Sequence, residues 1–269
     1  LIAGAGDLPV RIAAYCRTAN LPIVVARIEG MADPELAACA GASFGLGEMG
    51  ARFKMLKAAG CDAVTFAGKV ERPEFSQLKL DARGTMMLPS VVAAARQGDD
   101  ALMRVLVAEF EREGFRVIGP EAVLADLLAP RGAIGAHAPD ATALGDIAKG
   151  ALVTGAMGAH DIGQGAVIAD GLVMAVEAQE GTDMMVQRVA ALPAALRARL
   201  PLGVLVKRAK PIQERRIDLP AIGLLTLENA IAAGLAGIAV EAGGALIVDR
   251  AALVARADQA GLFIYGFDP

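Results

Sequence analysis

Along the first half of the chain, short apolar runs alternate with stretches of helical periodicity. LIA at the start predicts a strand, and LPVRIAAYCRTAN a helix, since its apolar positions return every three to four residues. PIVVARI predicts a second strand, EMGARFKMLKAAG a helix ending at Gly60, and DAVTFAG a further strand. DDALMRVLVAEFEREG predicts a helix with Asp99 as its cap and Gly114 as its stop, and FRVIG closes the series. Strand–helix alternation of this kind implies an α/β fold, a parallel sheet with helices on both faces.

The pattern breaks at APRGAIGAHAPD (129–140), which has two prolines, two glycines and no periodicity. This reads as a connection, and it sets the expected organisation: a domain over 1–130, a linker over 131–139 and a second domain over 140–269. Beyond it a helix is predicted from Ala141 to Met157. GAVIADG and LVMAVEA form a predicted hairpin about Asp170-Gly171, a pair that favours tight primed turns. A long helix is expected after Thr182, capped by Thr182 itself, and LGVLVKRA is a strand. A helix begins near Thr226. AGIAVEAG and ALIVD are strands on either side of Gly243-Gly244, and RAALVARADQAG (helix) and LFIYG (strand) finish the chain.

Composition narrows the classes. The chain has 269 residues, 55% hydrophobic and 21% charged, enough apolar material for a real core. A net charge of −4 and a pI of about 5.3 speak against nucleic acid as a partner of the whole surface. Cys16, Cys39 and Cys61 are odd in number and make no CxxC, against a disulfide framework or structural zinc and in keeping with a reducing cytoplasm. No apolar run approaches a membrane span, and LIAGAG reads as a strand and not a signal peptide. A strand at residue 1 suggests that a few native residues precede this numbering.

Four segments carry candidate chemistry. GAGDLP (4–9) joins the first strand to the first helix; its glycines would let backbone approach a ligand at a helix N-terminus. It lacks the third glycine of the dinucleotide fingerprint, no clear acid other than the candidate Glu29 stands at the end of the second strand, and a tight βα turn explains it equally well. AGKVERP (67–73) puts Lys69 beyond a strand end, where an anion would be met; a solvated turn is the plainer account. EAQEGTD gathers Glu177, Glu180 and Asp183, oxygen ligands of the type that hold Mg²⁺. Capping accounts for Thr182 and Asp183 but not for Glu177 in an apolar strand. KPIQERRIDLPAIG (210–223), with Lys207 and Arg208 before it, concentrates Lys210, Arg215 and Arg216 around Gln213, Glu214 and Asp218, between Pro211 and Pro220. Cations suit phosphate oxygens, and Asp218 among them would stay ionised, able to bind metal or orient water. The two histidines, His137 and His160, are too few for a metallophosphoesterase di-metal centre, and there is no P-loop, HExxH or GxSxG.

Taken in order, LIAGAGDLP, FAGKVERP, DIGQGAVIADGLVMAVEAQEGTDMMVQR and KRAKPIQERRIDLPAIGLLTLENA span nearly the whole chain. They resemble the UDP-2,3-diacylglucosamine pyrophosphatases of Gram-negative bacteria that lack the metallophosphoesterase form of that enzyme, in particular the alphaproteobacterial members. The resemblance implies a Rossmann-like N-terminal domain, a mixed α/β C-terminal domain, a homodimer, and a lipid-linked UDP-sugar held between the domains. It implies Mg²⁺-dependent hydrolysis to lipid X and UMP in the cytoplasm, with peripheral contact at the inner membrane. It makes Asp218 the catalytic aspartate and a metal ligand, and the acid cluster at EAQEGTD offers Glu180 as a second expected ligand. Asp7, Leu8, Lys69, Thr182, Asp183, Lys207, Lys210, Gln213 and Thr226 become substrate-facing positions. Where the family often has Asp after the Gln, this chain has Glu214. A non-catalytic nucleotide-sugar sensor and a NAD(P)-dependent oxidoreductase are the alternatives.

Overall fold

The computed structural model describes residues 1–71, 73–197 and 203–269. They gather into two compact units: Leu1–Ala125 with Arg216–Asp218, and Asp126–Arg215 with Leu219–Pro269. Arg72 of the AGKVERP segment and Leu202 of the expected LGVLVKRA strand lie outside the described residues.

The first unit runs β1 (Ile2–Ala3), α1 (Asp7–Thr18), β2 (Val25–Ile28), β3 (Gly41–Phe44), α2 (Met49–Ala58), β4 (Ala63–Val64), β5 (Phe66–Ala67), α3 (Ala82–Ala95), α4 (Asp99–Arg112) and β6 (Arg116–Val117). Its main sheet has the order β3-β2-β1-β5 and is parallel throughout. The apolar alternation therefore produced the expected parallel sheet. DAVTFAG, however, is not one strand. It divides at buried Thr65: β4 pairs with β6, whereas β5 pairs with β1. Its core centres on Phe110, whose ring meets those of Phe53 and Phe66 edge-on at 5.0 Å, a preferred aromatic geometry.

Four details depart from the pattern. The N-cap of α4 is Gly98, and Asp99 lies in the first turn, where its charge favours the helix dipole instead of capping. β3 carries too little apolar alternation to announce itself, and α3 contains Pro89, a residue that reads as a break. Residues 216–218 lie in sequence between strands of the second unit, yet Ile217 packs on the aromatic core of the first unit and Arg216 reaches Glu111 at 2.6 Å.

The second unit runs β7 (Gly132–Ala133), α5 (Ala141–Ala159), β8 (Gly165–Ala169), β9 (Leu172–Val176), α6 (Gly181–Ala190), α7 (Ala194–Arg197), β10 (Val204–Lys207), β11 (Ala221–Ile222), α8 (Leu224–Ala233), β12 (Gly237–Glu241), β13 (Leu246–Ile247), α9 (Arg250–Ala260) and β14 (Phe263–Phe267). The six-stranded sheet β7-β14-β12-β10-β8-β9 is parallel across β14, β12 and β10 and antiparallel on both flanks. Its central strands read as continuous apolar runs because both faces are covered. Leu205, Ile238 and Val240 enter the core beneath α6, α8 and α9, while Val204, Val206 and Ala239 alternate to the face packed by Ala143, Ile147 and Ala151 of α5.

The hairpin falls where expected. Asp170 (φ 51°) and Gly171 (φ 74°) both take positive φ, as a type I′ turn demands. Buried Asp146 of α5 fixes that turn by accepting the Asp170 and Gly171 N–H groups at 2.9 and 2.7 Å. The strands about Gly243-Gly244 do not pair with each other: β12 lies inside the main sheet, and β13 pairs with β11. Within the segment expected as a linker, β7 pairs with β14.

Candidate functional site

In parallel sheets, side chains that meet ligands collect beyond the C-terminal ends of the strands. In the second unit β10 ends at buried Lys207 and β12 at buried Glu241, side by side in the sheet. The chain leaving β10 forms the Lys210–Gln213 turn, and four carboxylate or amide groups hold it. Glu241 accepts the Ala209 N–H at 3.1 Å and pairs with Arg215 at 2.8 Å and the Arg208 Nε at 3.7 Å. The Gln213 Oε1 accepts the Lys210 N–H at 2.8 Å, and Asp161 meets the Lys210 ammonium at 2.5 Å. Gln164 receives the Gln213 amide at 3.4 Å, and its carbonyl receives the Arg208 N–H at 3.0 Å. The DIGQG segment thus lies against the basic turn. Lys207 donates to the Ala221 carbonyl at 2.9 Å.

A second group of expected residues assembles beside the first. Gly165 pairs with Lys207 across β8 and β10, and its carbonyl accepts the Glu177 N–H at 2.9 Å. Glu177, buried just past the end of β9, receives the Thr182 hydroxyl at 3.0 Å. Thr182 is therefore not the helix cap. Glu180 holds that position, and Thr182 sits inside the first turn with its hydroxyl turned to Glu177. This bond also supplies the reason for an acid at 177, which capping could not. Asp183 accepts from Thr226 at 3.3 Å and Asn229 at 3.2 Å, tying the start of α6 to the start of α8. The structure thus brings Thr182, Asp183 and Thr226 together, and Lys207, Lys210 and Gln213 together.

Glu180 is otherwise engaged. Arg188 pairs with it at 2.8 Å, and its own backbone N–H together with Arg188 holds its carboxyl below the ordinary range. Among the described residues, no three acid, histidine or cysteine side chains gather as a metal cluster. Asp218 is half-buried and groups with the first unit, directly after Arg216 and Ile217. Glu214 is half-buried, while His160 is the exposed C-cap of α5, a structural position.

In the first unit, the turn after β1 meets the turn after β5. Ala5 and Lys69 exchange backbone bonds at 2.8 and 2.9 Å. A Cβ on Gly4 would stand 2.5 Å from the Lys69 carbonyl oxygen, and one on Gly68 2.6 Å from that of Ala5. The protein's own chain makes the close backbone approach at Gly4. It sets the exposed Lys69 beside the turn that leads into α1, whose first residues are exposed Asp7 and half-buried Leu8. Glu29, after β2, is exposed.

The sequence reading passed over Asp161, Gln164, Asn229 and Glu241. Of these only Glu241 had a visible signal, a carboxylate closing the wholly apolar strand GIAV. Comparison with known proteins agrees with the motif order. The LpxI N-terminal domain matches residues 1–127 and the LpxI C-terminal domain residues 130–265. The UDP-2,3-diacylglucosamine pyrophosphatase LpxI of Caulobacter vibrioides is 53% identical over 271 residues, covering 100% of this chain and 97% of that protein. Matched in both domains and along its whole length, the chain belongs to the LpxI family.

Proposed function

We propose that the protein hydrolyses the diphosphate of UDP-2,3-diacylglucosamine to 2,3-diacylglucosamine 1-phosphate and UMP, a step of lipid A biosynthesis. The observation that carries this reading is the 53% identity to the Caulobacter enzyme over all of this chain. Water attacks the phosphorus on the sugar side, the bond to the bridging oxygen breaks, and that oxygen leaves with UMP.

The chain's own groups suit that chemistry. Phosphoryl transfer depends on positioning and on charge placed where oxygens become more negative. Lys207 and Lys210 supply fixed cations beside Gln213, each already seated by a backbone or carboxylate partner. Asp218, eight residues after Lys210 on the same segment, orients the attacking water. Thr182 and Asp183 offer hydroxyl and carboxylate oxygens to the sugar or nucleotide. Met184 and Leu225, next to the bonded pair Asp183–Thr226, are 60% and 64% exposed, an apolar surface fit for acyl chains.

Mg²⁺ fits a site with one protein carboxylate. It keeps waters and binds through one or two carboxylates plus substrate phosphates, so Asp218 would hold it. When bound, it supplies neutralisation of phosphate charge. The two histidines, both exposed, set this chemistry apart from a histidine-rich di-metal centre.

Among the described residues no helix is long and apolar enough to cross a membrane. A lipid-linked substrate calls for peripheral contact at the inner face of the membrane. Exposed Leu172, Val173 and Val176 on the edge strand β9 suit pairing of two copies as a homodimer. The test is incubation with UDP-2,3-diacylglucosamine and Mg²⁺, scoring UMP and the sugar phosphate. Wild type releases both, and Asp218→Ala stays folded and releases neither. A wild-type protein without turnover would overturn the activity; full turnover in the variant would overturn the role of Asp218.

A further inference from the structure

We propose that Glu241 is a positioning residue for this reaction, fixing the Lys210–Gln213 turn through Arg208, Ala209 and Arg215. The inference rests on the diphosphate-hydrolase reading above. Arg208 and Arg215 stand on either side of the turn in sequence, and both converge on one buried carboxylate. Between them, the Ala209 N–H donates to the same carboxylate at 3.1 Å. The other end of the Arg208 guanidinium is fixed by the Ala151 carbonyl of α5 at 3.2 Å.

Two features make this more than core packing. The turn belongs to no helix or strand, so it has no regular ladder to set its shape; its N–H groups at Ala209 and Lys210 are taken by side-chain oxygens. Glu241 itself ends the fully buried strand β12, which is paired on both sides, and is therefore a rigid post from which to hold a loop. A second consequence is electrostatic. Arg208, Lys210 and Arg215 would repel one another across the turn. Glu241 answers Arg208 and Arg215, as Asp161 answers Lys210, so each carboxylate keeps a different part of the basic turn in place.

The experiment compares wild type, Glu241→Gln, Arg215→Gln and the double variant in the full chain. It reads kcat and KM for UMP release and amide hydrogen exchange over residues 208–215. Gln conserves the volume and an acceptor for Ala209 but removes the charge that gathers the two arginines. The expected result is a kcat lower by on the order of 10–100-fold, the scale of a small misplacement of catalytic groups. KM changes less than kcat. Adding Arg215→Gln to Glu241→Gln lowers kcat by less than about 2-fold further, because the two act as one unit. Exchange quickens over 208–215 while β10 and β12 keep wild-type protection. A kcat within about 2-fold of wild type, or faster exchange spread evenly through β12 and α5, would overturn the proposal and leave Glu241 a core residue. Should the Gln variant not fold, Glu241→Asp, which keeps the charge, is measured by the same two readouts. If the wild type releases no UMP, the functional reading falls, and the exchange result still decides whether Glu241 holds the turn.

Discussion

Asp81 offers the sharpest check on the first unit, because one carboxylate there caps two helices. It precedes α3, and its Oδ1 accepts the Gly84 N–H at 2.8 Å. Its Oδ2 accepts the N–H of Ala51, in the first turn of α2, at 2.9 Å. The residue preceding α2, Glu48, makes no capping bond of its own. Loss of an N-cap costs typically ~1 kcal/mol, so Asp81→Ala removes roughly 2 kcal/mol, tempered by water reaching the freed N–H groups. Burial pushes the Asp81 pKa up, but the N–H groups of Gly84, Ala51, Gly50 and Arg83 together hold it below the ordinary value. A carboxyl with a depressed folded pKa contributes stability that is present above its unfolded pKa and lost as pH falls through the folded one. The gap between wild type and variant is therefore full at neutral pH and closes below the folded pKa. Urea unfolding followed by circular dichroism across pH measures it, and amide exchange at Ala51 and Gly84 assigns it to α2 and α3. A gap under about 0.5 kcal/mol at neutral pH, half the usual worth of one cap, would refute the reasoning, as would a gap that widens on acidification.

The remaining expectations concern the second unit. Lys210→Met removes the cation paired with Asp161 and is expected to lower kcat/KM for UMP release by roughly 10²-fold, the usual cost of one charge-stabilising donor; steady-state kinetics checks it. Asp146→Ala removes two charge-assisted bonds to the hairpin turn, each worth about 1.5–3 kcal/mol when fully buried. With the turn residues exposed, the expected loss is about 2–4 kcal/mol, read from the urea midpoint. Thr182→Val leaves the buried Glu177 carboxylate without that hydroxyl and costs about 1–3 kcal/mol; thermal unfolding checks it, and steady-state kinetics is expected to show a raised KM.

Much of this architecture was set by local pattern. The helices α4 and α9, the apolar strands β10, β12 and β14, and the Asp170-Gly171 turn follow from periodicity and turn chemistry that act over a few residues. The motifs and their order likewise sufficed to place the chain in its family, since residue types at fixed spacing carry that information directly. What the sequence left open involves partners far apart along the chain. DAVTFAG looks like one strand until β1 and β6 compete for its halves. Thr182 has the chemistry of a cap until Glu177 is folded beneath it. Asp161 lies 49 positions from Lys210 and Glu241 lies 26 from Arg215, so no window on the sequence joins them. Only the assembled sheet, which sets β8, β10 and β12 side by side, brings those carboxylates to the basic turn, because burial makes an unpaired charge too costly to keep.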